Sequence, residues 1–294
     1  MNGILDNRLP RRLLLIFETM SMALILLYRR ESLDLKTIIL AVGLVVLIYV
    51  SNYILSRISS GDLYIFLLVS MLMSIGIIMI YRISSELGLK QLLWLAIGII
   101  AFFLSYLSIT KINFWSKLLP FYIIAAYGLF IVTLILGDRT HGAINWIRIG
   151  GISFQPAEVT KVILVFILAC FYTNKERFDK TKYSDYWIMA IVYSFIGLLF
   201  IQRDLGTALI FLGIFTGLQY IYSDDRRIIR VNIALFSAGG AAAYLIFDHV
   251  KIRIMTWLNP WPYINDKGYQ ITQSLFAIAE GSYFGTGLGR GNPA

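Results

Sequence analysis

The chain has 294 residues, of which 58% are hydrophobic and only 15% charged, and its formal net charge is +9. Soluble domains carry about 25% charged residues, so apolar surface on this scale needs lipid as its solvent and excludes an ordinary soluble globule. The basic balance fits cytoplasmic loops and anionic headgroups; it argues against nucleic acid as a partner, because no basic face stands clear of the apolar segments.

Apolar runs predict an all-α, polytopic transmembrane helix bundle with about nine spans. In chain order they lie near Leu13–Tyr28, Thr37–Leu55, Leu63–Tyr81, Leu92–Ile109, Leu118–Leu136, Pro156–Tyr172, Trp187–Ile201, Thr207–Tyr222 and Val231–Phe247. A full crossing takes about 20 residues, so the first, seventh and eighth are short and are read as tilted, re-entrant or wrongly bounded. Arg8, Arg11 and Arg12 precede the first span and argue for a cytoplasmic N-terminus. That span ends in Tyr28-Arg29-Arg30 rather than small residues, so it reads as a retained anchor, not a cleaved signal.

Strict alternation places Lys175, Arg177, Lys180, Lys182, Arg226, Arg227 and Arg230 inside. It places Gly137–Phe154, Gln202–Gly206 and Asp248–Gln270 outside, with Arg29, Arg30 and Lys36 running against the charge rule. Trp115, Trp146, Trp187, Trp257 and Trp261 sit at span ends or in loops, as interfacial aromatics do. Cys170 is the single cysteine, so no intrachain disulfide can form, and its apolar run makes it a packing residue. His141 and His249 fit no metal-ligand spacing.

Three polar constellations interrupt the apolar pattern. The first runs from Gly142-Ala143-Ile144-Asn145-Trp146-Ile147-Arg148 through Gly150-Gly151 to Phe154-Gln155-Pro156-Ala157-Glu158 and Lys161. Its glycines suit an ordered outer loop, and Pro156 suits the first turn of a helix. Glu158 and Lys161, at i and i+3, share a helix face at membrane depth and either line a polar pathway or pin neighbouring helices.

The second is Gln202-Arg203-Asp204-Leu205-Gly206-Thr207-Ala208, between two short spans. A broken helix with free backbone groups and an adjacent Arg–Asp pair resembles the substrate sites of transporters. The alternative is an outer turn in which Asp204 and Thr207 cap a helix.

The third is Arg253, Trp257, Asn259-Pro260-Trp261, Asp266-Lys267-Gly268-Tyr269-Gln270, Gln273-Ser274 and the glycine-rich stretch from Gly281 to Gly291. Asp266 is the only carboxylate between His249 and Ala279, with Glu280 just beyond, and it reads either as a general base or as a turn-forming acid. Arg253 and Lys267 suit phosphate charge. The glycine series has no preceding strand, which weakens a dinucleotide-loop reading. No nucleophile elbow, Walker loop or His-Glu-x-x-His is present, so hydrolase, ATPase and metalloprotease readings lack support.

Taken in order, these motifs resemble the SEDS family (shape, elongation, division and sporulation; the RodA, FtsW and SpoVE type). Its pattern is Gly-Ala-x-x-Trp, Phe-Gln-Pro-Ser/Ala-Glu-x-x-Lys, Asp-Leu-Gly-Thr-Ala, Asp/Asn-Pro-Trp, Gly-Tyr-Gln-x-x-Gln-Ser and Gly-x-Gly-x-Gly, matched here across Leu118–Asn292. The resemblance implies a peptidoglycan glycosyltransferase that polymerises lipid II, a polyprenyl-pyrophosphate-linked glycan, at the outer face of the bacterial cytoplasmic membrane. It implies a role in cell shape or division and a class B penicillin-binding protein as partner.

By the same resemblance Asp266 is the catalytic base, and Arg203, Arg253 and Arg148 neutralise charge on the leaving pyrophosphate. A divalent cation, Mg or Mn, could share that task. Trp146, Asp204, Trp261, Lys267, Tyr269 and Gln270 complete the expected substrate-binding set, and Glu158 with Lys161 forms the intramembrane polar pair.

Several positions depart from the pattern. Asn259 stands where many relatives have Asp, Arg203 replaces a common Pro, and Asn145 occupies a frequent Arg position. The expected organisation is residues 1–117 as N-terminal spans, two of them extra, and 118–294 as the family core with an outer catalytic loop at 248–294. The family's last helices are missing, which leads us to expect a truncated chain of little or no activity. That expectation fails if residues 1–294 polymerise lipid II as well as a full-length relative. A lipid II flippase and a non-catalytic scaffold for a penicillin-binding protein are the alternatives.

Overall fold

The apolar runs fold as helices, because a chain in lipid must satisfy every backbone N–H and C=O internally. The computed structural model describes residues 8–28, 35–59, 61–112, 114–140, 143–150, 152–175, 184–223 and 225–287. Arg29, Arg30, His141, Gly142, Gly151, Arg177, Lys180, Lys182, Gly289 and Gly291, named above, lie outside the described residues.

The order is α1 (Arg8–Tyr28), α2 (Leu35–Ile58), α3 (Tyr64–Ile83), α4 (Ser85–Lys111), α5 (Leu119–Leu136), β1 (Asp138–Thr140), β2 (Ala143–Ile149), β3 (Ile152–Phe154), α6 (Pro156–Thr173), α7 (Ser184–Ile201), α8 (Leu205–Tyr222), α9 (Arg226–Ile246), α10 (Asp248–Leu258) and α11 (Tyr269–Gly281), with 3-10 turns at Trp115–Lys117 and Trp261–Tyr263. Eight of the described helices, α2 to α9, are long and apolar enough to cross a membrane. The chain is therefore a multi-pass membrane protein of the all-α class. The first run, α1, is a helix of 21 residues that carries Arg8, Arg11, Arg12 and Glu18. The seventh and eighth runs are longer than their apolar stretches: α7 begins at Ser184 and α8 at Leu205, giving each 18 residues. At 1.5 Å per residue such a helix is about 27 Å long, close to the hydrocarbon thickness of about 30 Å.

The chain divides into two compact units, Met1–Ser108 with Ile252–Ala294, and Ile109–Lys251. In the first, Leu14, Leu40, Leu44, Ile48, Ile77 and Ile78 form the core between α1, α2 and α3. Polar groups stitch these helices across the core. Asn52 donates to the Ser70 hydroxyl at 3.0 Å, Ser74 donates to Glu18 at 2.5 Å, and Thr37 bonds the Tyr81 hydroxyl.

The second unit packs α5, α6, α7 and α8 around Phe130, Leu164, Ile167, Phe171, Phe195, Phe211 and Phe215. On α7 the buried Ile188, Val192, Phe195 and Leu199 recur at three- and four-residue steps, which makes one stripe of the helix. Tyr127 and Ser194 join α5 to α7 at 2.5 Å, and Asn232 on α9 reaches Thr216 and Gln219 on α8 at 3.0 and 2.9 Å. Outward positions stay apolar, as at Ile124 (70% exposed) and Ile135 (73%), because lipid rather than water covers them.

One element lies beyond the sequence expectation. The loop between α5 and α6 is a three-stranded antiparallel sheet in the order β1-β2-β3. Trp146 pairs with Asp138, and Ile147 with Phe154. Isoleucine and tryptophan favour strands, but seven- and three-residue strands leave no trace in a pattern sought at the length of a span. Gly150, at φ +58°, makes the β2–β3 turn that a side chain would strain.

Candidate functional site

The second constellation is the organising centre of its unit. Helix α7 ends at Ile201 and α8 starts at Leu205, with Asp204 as the N-cap whose Oδ1 accepts the Thr207 N–H at 3.2 Å. The other carboxylate oxygen, Oδ2, accepts from the Gln155 amide at 3.2 Å and from the Asn145 amide at 3.4 Å. Asp204 thus ties together the α7–α8 turn, strand β2 and the start of α6. The capping reading of this segment is what the structure contains. Thr207 lies buried within the first turn, with its N–H taken by that cap.

Gln202 reinforces the junction. Its carbonyl accepts the Ile144 N–H at 2.9 Å, and its buried amide donates to the Phe130 carbonyl at 3.2 Å on α5. Two acceptors here, Asn145 Oδ1 and Gln202 Oε1, are buried without a partner among the described residues. Arg203 adopts φ +60°, a left-handed conformation that costs a non-glycine residue about 1 kcal/mol or more. Its guanidinium lies 5.9 Å from the centre of the Phe247 ring and forms no ion pair with Asp204. The adjacent Arg–Asp pair of the sequence is therefore two residues with separate contacts.

Arg148 pairs with Asp138 across the β1–β2 hairpin at 3.7 Å, both side chains more than half exposed. Trp146 is half-buried on the same strand. Lys161 Nζ meets Glu158 Oε1 at 2.7 Å, the i, i+3 pair expected from spacing. Glu158 stands exposed in the first turn of α6, where an acid favours the helix dipole.

The third constellation belongs to the other unit. After α10, which carries Arg253 and Trp257, Pro260 leads into the turn Trp261–Tyr263 and then residues 264–268, before α11 opens at Tyr269. The turn closes on itself: Gly268 and Asp266 both donate backbone N–H groups to the Tyr263 carbonyl, at 2.9 and 3.2 Å. A Cβ on Gly268 would stand 2.8 Å from the Pro260 oxygen and 2.9 Å from that of Tyr263, so only glycine fits. Trp261 packs on Phe276 with ring centres 6.3 Å apart.

Asp266, Lys267, Tyr269 and Gln270 are all exposed. The Asp266 carboxylate bonds no group among the described residues; only its backbone takes part in the turn. The contrast with Asp204 is chemical. Of roughly four acceptor positions on a carboxylate, Asp204 commits three internally, whereas Asp266 keeps all of its own for solvent or a ligand. Among the described residues no group of three His, Cys, Asp or Glu could hold a metal ion.

Gln155, Asn145 and Gln202 were part of the motifs but not of the expected site. Their signal was an uncharged amide beside a proline, a tryptophan or an acid in an otherwise apolar context.

Residues 62–293 match the family model described as cell cycle protein, of the FtsW, RodA and SpoVE type. The chain is 30% identical over 258 residues to peptidoglycan glycosyltransferase RodA of Mycobacterium bovis, covering 76% of this chain and 53% of that protein. It is 32% identical over 250 residues to stage V sporulation protein E of Bacillus subtilis, covering 79% and 67%. It is 30% identical over 228 residues to the probable peptidoglycan glycosyltransferase FtsW of Buchnera aphidicola, covering 75% and 59%. The chain spans about half the length of the RodA relative.

Proposed function

We propose, from the premise that this chain belongs to the FtsW, RodA and SpoVE family, that it acts in peptidoglycan glycan polymerisation with Asp266 as general base. The observation that carries the reading is the exposed, unengaged carboxylate of Asp266 on a turn that Gly268 locks in shape. In the proposed reaction Asp266 accepts the proton of the acceptor sugar hydroxyl. That oxygen bonds to the anomeric carbon of the donor lipid II as the bond from this carbon to pyrophosphate breaks. Undecaprenyl pyrophosphate leaves with the electron pair. A positioned base contributes about 10²–10⁴-fold to such a step.

In the unit that carries Asp266, Arg253 is proposed to offset the pyrophosphate charge, with Trp261, Lys267, Tyr269 and Gln270 binding substrate; in the other unit, Arg203, Arg148 and Trp146 are proposed as substrate contacts in their own right. Asp204 enters as the residue that holds β2, α6 and the α7–α8 turn in place. Mg²⁺ needs only one or two carboxylates besides substrate phosphates, so a divalent ion in this site would be held mainly by the substrate.

The N-terminus is proposed to be cytoplasmic and the loop at 248–294 outer. The family match begins after α1 and α2, which supports reading these two helices as additions ahead of the core. A class B penicillin-binding protein is the proposed partner.

Asp266→Ala tests the assignment in the product of the chain's own reading frame. Glycan polymerisation should be lost while lipid II flipping and co-purification of a penicillin-binding protein persist. Loss of flipping with the same substitution would favour the flippase. Partner binding without either activity in the unaltered protein would favour the scaffold.

A further inference from the structure

At the end of the second unit away from Asp204, a cavity of about 410 Å³ opens between helix ends. Ser116 and Lys117 from the 3-10 turn Trp115–Lys117, Leu119, Pro120 and Ile123 from the start of α5, Asn174 after α6 and Trp187 on α7 line it. The volume falls within the range of about 300–1,000 Å³ typical of small-molecule sites. Its chemistry is divided: Leu119, Pro120 and Ile123 supply an apolar floor, while Lys117, Ser116 and Asn174 supply donors.

The Lys117 backbone N–H donates to the Phe114 carbonyl at 2.9 Å, while its ammonium makes no ion pair or hydrogen bond among the described residues. Asn174 donates to the Cys170 carbonyl at 2.8 Å, which fixes its amide at the cavity wall. The surrounding end of the unit is basic. Lys175 reaches the Tyr222 carbonyl at 3.2 Å, and Arg226, Arg227 and Arg230 open α9. Of the acids there among the described residues, Asp185 accepts from the Ser223 hydroxyl at 3.0 Å and Asp225 from the Arg227 N–H at 2.8 Å.

We propose that this cavity binds the headgroup phosphate of an anionic phospholipid, with Lys117 as its cation, Trp187 as its interfacial wall and the Leu119–Ile123 floor against the first part of an acyl chain. Three features combine to favour this ligand. An exposed ammonium with no carboxylate beside it is free to meet an anion. The apolar floor beside it needs a hydrocarbon, which a free phosphate lacks. Indole and lysine at a helix end sit at headgroup depth. The site is separate from the glycan reading and stands or falls without it.

The test uses the full chain in phosphatidylcholine bilayers containing a minor share of phosphatidylglycerol with brominated acyl chains, which quench nearby indole fluorescence. The Trp187 contribution is obtained by comparison with Trp187→Phe. Brominated phosphatidylglycerol should quench Trp187 more than brominated phosphatidylcholine at equal share. Lys117→Gln should reduce that preference about fivefold, the weight of one lysine at a lipid surface, with quenching by phosphatidylcholine unchanged. Arg230→Gln, which removes a charge at the same end but does not line the cavity, should leave the preference intact. Equal quenching by the two lipids, or an unchanged preference in Lys117→Gln, overturns the proposal. So does an equal loss in Arg230→Gln, which would assign the preference to diffuse surface charge. Abolition of the preference by soluble glycerol phosphate would move the site from lipid to free phosphate and overturn it as well.

Discussion

Replacing Asp204 by alanine removes one carboxylate and three hydrogen bonds, two of which join separate elements. The cap on Thr207 is worth about 1 kcal/mol. The Gln155 bond at 3.2 Å, to a charged acceptor, contributes about 1.5 kcal/mol. The Asn145 bond at 3.4 Å is longer than a well-formed N–H···O contact and contributes about 0.5 kcal/mol. The expected destabilisation is therefore about 3 kcal/mol. Asp204→Asn keeps an oxygen for the cap but sets an NH₂ group against the two amide donors, so it should recover only about 1 kcal/mol of this. Unfolding free energy of the full chain in mixed micelles measures both, with Gln155→Ala completing a double-mutant cycle. A coupling of about 1 kcal/mol between Asp204 and Gln155 is expected. An Asp204→Ala protein within about 0.5 kcal/mol of wild type, or strict additivity in the cycle, would refute the organising role.

Other substitutions probe the remaining geometry. Gly268→Ala places a methyl group against two carbonyl oxygens. It should cost about 1–3 kcal/mol, seen as faster proteolysis within 259–270 and as lost polymerisation with Asp266 still present; unchanged cleavage would refute the tight turn. At Arg203, glycine should be near neutral, because relief of the left-handed strain offsets a cation–π contact of about 0.5–1 kcal/mol. Proline there, locked near φ −65°, should cost about 3 kcal/mol or more, and equal stability of the two variants would contradict the observed turn. Glu158→Ala and Lys161→Ala should each shift unfolding by less than about 1 kcal/mol, because the pair is partly exposed. A larger shift would show that it pins helices.

Much of this structure can be read from residue order. The helices follow from the apolar runs, since lipid forces unbroken backbone hydrogen bonding over the length of a span. Asp204 as a cap was readable from its place before Leu205-Gly206-Thr207, because short polar side chains at helix starts find orphan N–H groups. The β1–β3 sheet was not readable, because its pairing joins residues such as Asp138 and Trp146 across a turn. Nor was the Arg148–Asp138 contact, which exists only through that pairing. The amides of Asn145 and Gln155 converge on Asp204 from 59 and 49 residues away, and no local pattern encodes a meeting at that separation. Arg203 shows the reverse limit: its neighbour in sequence is an acid, yet the left-handed turn gives it the Phe247 ring instead.

The most direct test of the account compares lipid II polymerisation by wild-type and Asp266→Ala protein, matched for folded amount, in bilayers. The rate should fall about 10²-fold or more with folding unchanged, because the Asp266 carboxylate bonds no group among the described residues. A rate within about threefold of wild type would lie below the range for loss of a general base and would contradict the assignment of Asp266.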